Sequence, residues 1–308
     1  MNVLVTGGAG FIGSHLIGRL LEKGCKVVCV DNFILGKKEN LQRPLKNPNF
    51  SLHNFDILEM DRLEELFSKE SFDIVFHLAA NSDIREGTKS TDRDLKLTFL
   101  TTYNVLECMR KHQVKKIVFT STPAIYGYHD KPLREDSTMK PESLYGASKL
   151  ASEAFIRAFS GLFGFQTWIF RLSNMVGERV THGIILDFSK KIAKNPKELE
   201  VLGDGTQCKP YMYVQELIDC ILFVIENSDE QVNVFNVGPK DCTRVSDIAK
   251  IFLEEKGVKR KVVYTGGPRG WNGDVHFYKY DPSKLEKLGW KPKMNSTEAV
   301  KFAIRKMK

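Results

Sequence analysis

The feature that most constrains how this chain can fold is a glycine-rich turn set between an apolar run and an amphipathic stretch. Residues 3–5 read as a buried strand, and Gly7-Gly8-Ala9-Gly10-Phe11-Ile12-Gly13 follows at once and opens a helical pattern over residues 11–22. A glycine pattern alone carries little information, but between a strand and a helix it carries a good deal. Gly7 permits a tight turn, Gly10 lets the backbone approach a pyrophosphate at the helix N-terminus, and Gly13 allows the helix to pack closely on the strand. The turn, with Phe11 and Ile12 in it, points to a bound dinucleotide.

Further apolar runs at residues 26–31, 51–55, 74–78, 116–121 and 166–172 alternate with helical patterns at 60–68, 94–111 and 145–163. Strands separated by helices form a parallel sheet covered on both faces. The expected fold class is α/β, a Rossmann-type doubly wound parallel sheet over residues 1–172. Beyond residue 173 the regularity gives way to loops, short strands and helical patterns at 186–193, 216–226, 245–255 and 297–307. These predict a smaller C-terminal substrate-binding lobe over residues 173–308, with chain segments free to cross between the two.

The net charge of +8 arises from short basic pairs such as Lys37-Lys38 and Lys115-Lys116 dispersed among acids, which favours a solvated surface over a nucleic-acid footprint. Such a surface would steer an anionic substrate. No stretch approaches the roughly 20 apolar residues that cross a bilayer, and residues 1–10, with no basic segment leading into an apolar core and cleavage site, are not expected to act as a secretory leader. Cys25, Cys29, Cys108, Cys208, Cys220 and Cys242 form no CxxC pair and no metal-ligand cluster with histidine. They read as reduced thiols of a cytoplasmic protein without a metal.

The second strand is expected to end at Asp31, 18 positions after Gly13. A carboxylate there accepts hydrogen bonds from both hydroxyls of an adenosine ribose and repels a 2′-phosphate, so NAD is expected over NADP, with Lys37 and Lys38 as the opposing consideration. The alternative is a flavin-binding or regulatory domain in which Asp31 caps a turn. Further along, Tyr145-Gly146-Ala147-Ser148-Lys149 sets a phenol and an ammonium four residues apart, on one face of a helix. A phenol ionises near pH ~10, and an adjacent cation favours the phenolate, so Tyr145 is a candidate base for a substrate hydroxyl whose carbon gives up hydride. Thr120-Ser121-Thr122 ends the fifth predicted strand at the sheet's carboxyl edge, where any one of the three hydroxyls can orient the reacting oxygen.

With these residues assembled, the sequence resembles the extended short-chain dehydrogenase/reductase family, and within it the UDP-glucose 4-epimerase-like nucleotide-sugar enzymes. The resemblance covers nearly the whole chain: TGGAGFIGSH, VDNFILGKKENL, HLAA at 77–80, TSTPAIYG at 120–127, YGASK at 145–149, then RLSNMVG, LGDGTQCKPYMYV, FNVG and RGWNGDV followed by LGWKP. It implies Thr122 as the catalytic hydroxyl, with Tyr145 as base and Lys149 as its activator. It also implies that Asn32, Gly36 and Lys37 join Asp31 around the cofactor, that Asp56 and Ile57 border the adenine, and that Leu78, Ala79 and Ala80 line the dinucleotide path. Asn174, Lys209 and Arg269 would face the diphosphate of a UDP- or GDP-type sugar, whose charge needs pairing when buried. A homodimer through the helices at 94–111 and 145–163 is implied as well, with Leu97, Leu100, Tyr103, Leu106, Leu150, Ala154 and Phe159 as its apolar faces.

Three departures from the family pattern stand out. Lys209-Pro210 replaces a usual Arg-Asp, Thr98 replaces a usual Asn, and Pro123 follows Thr122 and removes a backbone N–H. The dehydratase subgroup carries an Asp-Glu pair after its catalytic Thr where this chain has Pro123-Ala124, so elimination of water would lack its acid and base. The leading expectation is an NAD-dependent 4-epimerase. A dehydrogenase or reductase that releases a keto sugar from the same site is the alternative, and a non-catalytic NAD-binding scaffold the remote one.

Overall fold

The computed structural model describes residues 1–84, 87, 89–270 and 275–307. The chain opens with β1 (Asn2–Thr6), α1 (Phe11–Glu22), β2 (Lys26–Val30), β3 (Phe50–His53), α2 (Met60–Lys69) and β4 (Ile74–His77). Then come α3 (Thr91–Asp94), α4 (Thr101–Lys111), β5 (Lys116–Ser121), α5 (Leu144–Phe163) and β6 (Gln166–Leu172). The remainder is β7 (Asn174–Val176), α6 (Ile184–Lys194), β8 (Glu198–Val201), β9 (Cys208–Lys209), β10 (Tyr211–Tyr213), α7 (Val214–Asn227), β11 (Val232–Val237), β12 (Thr243–Arg244), α8 (Val245–Glu255), β13 (Lys261–Tyr264), α9 (Ser283–Leu288) and α10 (Ser296–Lys306).

Seven strands form the main sheet in the order β11-β6-β5-β4-β1-β2-β3. The pairings from β3 through to β6 are parallel, so β-branched and aromatic residues buried on both faces make up its strands. β1 has β2 on one side and β4 on the other, and this reversal of winding opens a crevice at the carboxyl ends, where ligands of such sheets bind. Leu4, Val28, Val75, Ile117 and Ile169 from the sheet pack with Leu63, Phe67, Val105, Met109 and Ile156 from the helices. Each such side chain contributes roughly 1.5–3 kcal/mol on burial. The long helix α5 is bounded on chemical grounds: the Ser143 hydroxyl accepts from the Gly146 N–H at its start, and Gly164 in the left-handed region ends it.

The chain divides into two compact units. One comprises residues 1–125, 141–171 and 221–235, and the other 126–140, 172–220 and 236–308. The second is built from two-stranded pieces, β8 with β13 and β7 with β10 in parallel and β9 with β12 antiparallel. Its core includes Phe188 of α6 against Phe252 of α8, with ring centroids 5.7 Å apart.

Four expectations are corrected. The main sheet takes a seventh strand, β11, from beyond residue 173. The helix expected at 94–111 begins at Thr91 and is interrupted by a π-helical stretch, Leu95–Leu100. Leu106 and Phe159, assigned to an outer face, belong to the core, because α4 and α5 pack on the sheet through that side. The apolar groups left exposed near them are Leu95, Tyr103, Phe155 and Leu162. Finally, Cys208 and Cys242 form a disulfide, since the β9–β12 ladder brings together two cysteines 34 residues apart. Cys25, Cys29, Cys108 and Cys220 are free and buried, as expected of reduced thiols. Among the described residues no helix is long and apolar enough to cross a membrane, and no group of three His, Cys, Asp or Glu is placed to hold a metal.

Candidate active site

The glycine loop is shaped by close backbone approaches. Gly7 lies at φ 71°, and a Cβ there would stand 2.7 Å from the Ala79 nitrogen, so only glycine brings the loop against the segment after β4. A side chain on Gly13 would collide with the Gly7 carbonyl. No side chain caps α1, whose first-turn N–H groups and dipole suit an anion. At the end of β2, Asp31 is buried, with Oδ2 accepting from the Ala9 N–H at 2.8 Å and Oδ1 from the Phe33 N–H at 2.8 Å. Burial pushes its pKa up, and those two backbone hydrogen bonds pull against that shift. A Cβ on Gly36 would lie 2.8 and 3.0 Å from the two carboxylate oxygens, so the glycine keeps the approach to Asp31 open.

Asp31 thus ties the glycine loop to the 33–36 turn, and a carboxylate with two remaining acceptor positions can still receive ribose hydroxyls. The Lys37 N–H and the Asn40 amide both bond the Ala9 carbonyl, at 3.1 and 2.8 Å. Asp56 accepts from the Leu58 N–H and from the Asn32 amide, both at 2.9 Å, which fixes the turn after β3 beside the one after β2. Ile57 is buried, while Leu78, Ala79 and Ala80 stay partly open after β4. These residues fit a dinucleotide: an uncapped helix start, a glycine cradle and a carboxylate left unobstructed by Gly36.

Of the three hydroxyls at the end of β5, it is that of Thr122 that lies near enough to the Tyr145 phenol to lower its pKa. The Thr122 oxygen also accepts from the Ala124 N–H at 3.2 Å, and this turn is compatible with Pro123, which has no N–H to satisfy. Gly146 lets the helix approach: a Cβ there would collide with the Ala124 carbonyl, so the residue between Tyr145 and Lys149 seats α5 against the strand end. One turn on, Lys149 donates to the Thr120 carbonyl at 2.6 Å, with its ammonium 4.4 Å from the centre of the Phe119 ring. Beyond it, Glu153 and Arg171 form a buried bidentate pair at 3.1 and 2.7 Å.

The electrostatics differ from the simple expectation that the ammonium lowers the phenol. Burial pushes Tyr145 up to about 12, the Asp94 carboxylate adds to this, and the Thr122 hydrogen bond opposes it. Burial also pulls Lys149 down to about 7, against the nearby Glu153 carboxylate. In the chain by itself, loss of water therefore favours the neutral form of both groups.

Sequence reasoning missed a buried polar network under this site. The single Thr102 hydroxyl proton goes to the Thr98 carbonyl at 2.7 Å, so His77 must donate to Thr102 through Nε2–H, at 3.0 Å. His77 Nδ1 then accepts from the Thr6 hydroxyl at 2.7 Å. Burial, with Lys149 as a nearby like charge, pulls His77 down to about 3, so it is held neutral. The Thr98 carbonyl that accepts from Thr102 lies in the π-helical stretch, and the Thr98 hydroxyl accepts from the Asn81 N–H at 3.2 Å. The Asn81 amide donates in turn to Asp94 at 2.8 Å. No spacing rule exposes such partners, because Thr6 and His77 lie 71 residues apart.

In the second unit, β7 brings Asn174 opposite Tyr211 of β10, with its N–H bonded to the Pro210 carbonyl at 3.1 Å. Asn174 is therefore next to the Lys209-Pro210 pair. Arg269 is exposed, with its backbone beside Gly203. Lys209 and Arg269 each already make an interaction within the fold. The rest of the RGWNGDV motif at residues 271–274 lies outside the described residues.

Comparison with known proteins agrees with this geometry. The chain is 34% identical over 312 residues to a putative UDP-glucose 4-epimerase of Methanocaldococcus jannaschii, covering 99% of this chain and 98% of that one. A crystal structure of a UDP-galactose 4-epimerase superposes with a TM-score of 0.88 at 37% identity, covering 99% of this chain and 98% of the other. The UDP-glucose 4-epimerase of Thermotoga maritima, solved with UDP-glucose, gives 0.90 at 33% identity over 99% and 97%. Residues 3–238 match the family model for NAD-dependent epimerases and dehydratases, and the chain, an NAD-dependent enzyme, belongs to the NAD dependent epimerase/dehydratase family.

Proposed function

We propose that this chain is an NAD-dependent UDP-sugar 4-epimerase that works by transient oxidation of the sugar 4-hydroxyl. The observation that carries the reading is the placing of the Thr122 hydroxyl beside the Tyr145 phenol with Lys149 held one helical turn away, in a chain whose relatives are named 4-epimerases. The Gly7–Gly13 loop and Asp31 would hold NAD, which when bound would supply a hydride acceptor and a positive charge. Thr122, fixed by the Ala124 N–H, orients the sugar oxygen, and Tyr145 takes its proton. Lys149, anchored on the Thr120 carbonyl, offsets the charge that forms on the phenol. A keto sugar that turns over before its reduction leaves as the 4-epimer. Pro123-Ala124 supplies neither the acid nor the base that loss of water needs.

Asn174, Lys209 and Arg269 are assigned to the substrate diphosphate. A homodimer is assigned to the patch around Phe155, whose ring meets Phe99 at 4.9 Å and Tyr103 at 6.3 Å while Tyr103 and Phe155 stay exposed. A second copy of the same patch is the natural cover for it. The site of action is the cytoplasm, which the four buried thiols suit.

The test is to incubate the purified protein and NAD with UDP-glucose, UDP-galactose, UDP-glucuronic acid and UDP-N-acetylglucosamine, and to separate the products. Formation of a 4-epimer with no net NADH is expected. NADH accumulating in step with a keto sugar would favour the dehydrogenase reading, and no conversion of any of the four would overturn the assignment.

A further inference from the structure

We propose that the Cys208–Cys242 disulfide is a reversible redox control on substrate binding, set one residue from Lys209. The inference rests on the assignment of Lys209 to the substrate diphosphate. Three chain segments meet at this cross-link. Cys208 lies opposite Arg244 in the β9–β12 ladder, and Lys209 lies opposite Thr243. Cys208 also donates its N–H to the His276 carbonyl at 3.1 Å and bridges to Phe277, on the segment that follows Arg269.

The 241–244 segment is firmly held without the disulfide. The Thr243 hydroxyl is 2.6 Å from that of Ser296, Asp241 accepts from the Ser296 N–H at 3.1 and 3.2 Å, and the Val245 N–H bonds the Gln207 carbonyl at 2.9 Å. Strand β9 is only two residues long, and a ladder that short is marginal by itself. The cross-link adds a covalent tie between the strand carrying Lys209 and this neighbour, beside the backbone hydrogen bonds of Gln207 and Cys208.

The contrast with the remaining cysteines gives selectivity. Cys208 and Cys242 are both half-buried, whereas Cys25, Cys29, Cys108 and Cys220 are buried. Burial raises the thiols of Cys29, Cys108 and Cys220, so they stay protonated and unreactive. In a reducing compartment a lone accessible disulfide is typically transient and redox-sensing. Reduction by a dithiol breaks the S–S bond and forms two S–H groups. The two electrons and two protons come from the dithiol, which closes to a cyclic disulfide.

The experiment uses the full-length protein, air-oxidised or treated with dithiothreitol, with alkylation by iodoacetamide under native conditions to count accessible thiols. Oxidised protein should resist labelling, and reduced protein should be labelled at Cys208 and Cys242 alone. By calorimetry, reduction should weaken UDP binding about fivefold, the loss set by one partly exposed charge contact, and leave NAD binding unchanged. Re-oxidation should restore affinity, and the Cys208→Ser/Cys242→Ser double variant should match the reduced state. Lys209→Ala should weaken UDP binding by a similar factor and abolish the response to reduction, as coupled sites do. Labelling of Cys208 and Cys242 in oxidised protein would overturn the proposal. Equal UDP affinity in both redox states beside a weakened Lys209→Ala would also overturn it, while leaving the diphosphate assignment standing. Unchanged UDP affinity in Lys209→Ala would remove the assignment itself, and the redox control with it.

Discussion

The two compact units hold their functional groups in different ways. In the first, backbone groups fix two members of the reactive set, Thr122 through the Ala124 N–H and Lys149 through the Thr120 carbonyl, and Tyr145 lies beside the Thr122 hydroxyl. In the second, Asn174 stands on a three-residue strand, Lys209 on a two-residue strand, and Arg269 on an exposed segment. The chemistry of proton and hydride transfer tolerates little positional error, because misplacement by an ångström can cost on the order of 10²-fold. Recognition of a diphosphate by flexible cations tolerates much more. On the proposed assignments, reaction type rests on the first, rigid unit and substrate choice on the second, adaptable one.

The largest expected effect lies in the rigid unit. Tyr145→Phe removes the proton acceptor and keeps the ring, so turnover should fall by about 10²- to 10⁴-fold with NAD binding nearly intact. Steady-state activity close to that of the unaltered protein would break the comparison at its strongest point. Gly146→Ala should come next, at about 10²-fold in kcat, because the new methyl group meets the Ala124 carbonyl and pushes α5 off the strand end. The sign is informative. In an ordinary helix interior the same change stabilises by about 0.5–1 kcal/mol, so a raised melting temperature would show that the close approach is not required.

Asp31→Ala should weaken NAD binding by about tenfold or more and narrow the preference over NADP, through lost hydrogen bonds to a charged group worth roughly 1.5–3 kcal/mol. An unchanged NAD/NADP ratio in calorimetry would separate Asp31 from the ribose. The adaptable unit should respond more weakly. Arg269→Ala should reduce UDP affinity by about fivefold or less and leave NAD affinity alone, since an exposed cation is worth little. A loss of a hundredfold would mean that the segment becomes buried around substrate, and the two units would then be equally constrained.

One further effect is invisible at neutral pH. His77 sits at about 3 in the fold against 6.5 when exposed, so between those values the unfolded chain binds a proton that the fold excludes. Stability should therefore rise with pH across that window and be lost as pH falls through it, with a slope approaching ~1.4 kcal/mol per pH unit. Urea midpoints measured against pH should show a flatter acid limb in His77→Gln. Identical limbs would place the acid sensitivity elsewhere.

Much of the first unit was legible in the sequence. Strands 116–121 and 166–172 were placed to the residue, because parallel strands buried on both faces leave continuous apolar runs. The glycine loop and the Tyr145–Lys149 spacing are local patterns and were equally readable. What escaped depends on contacts between distant residues. β11 joins the sheet some 60 residues after β6, a π-helical stretch replaces regular helix where Thr98 is needed, and Cys208 meets Cys242 only once two short strands have paired. The opposing shifts of Tyr145 and Lys149 were also hidden, since sequence gives their spacing and not how much water each one keeps.

The π-helical stretch at Leu95–Leu100 has a consequence for how this helix tolerates change in length. A π turn holds one residue more than the α-helix it interrupts, so removing a single residue there would let the segment relax to uniform α geometry. Everything before the deletion would then rotate by about 100° relative to Thr101–Lys111, the angle of one α-helical residue. Asp94 would swing away from the Asn81 amide, and the Thr98 carbonyl would turn away from the Ser152 hydroxyl. A deletion that improves the helix as a helix would thus dismantle the floor beneath the reactive tyrosine, so insertions and deletions should be far better tolerated on the surface turns than in these six residues.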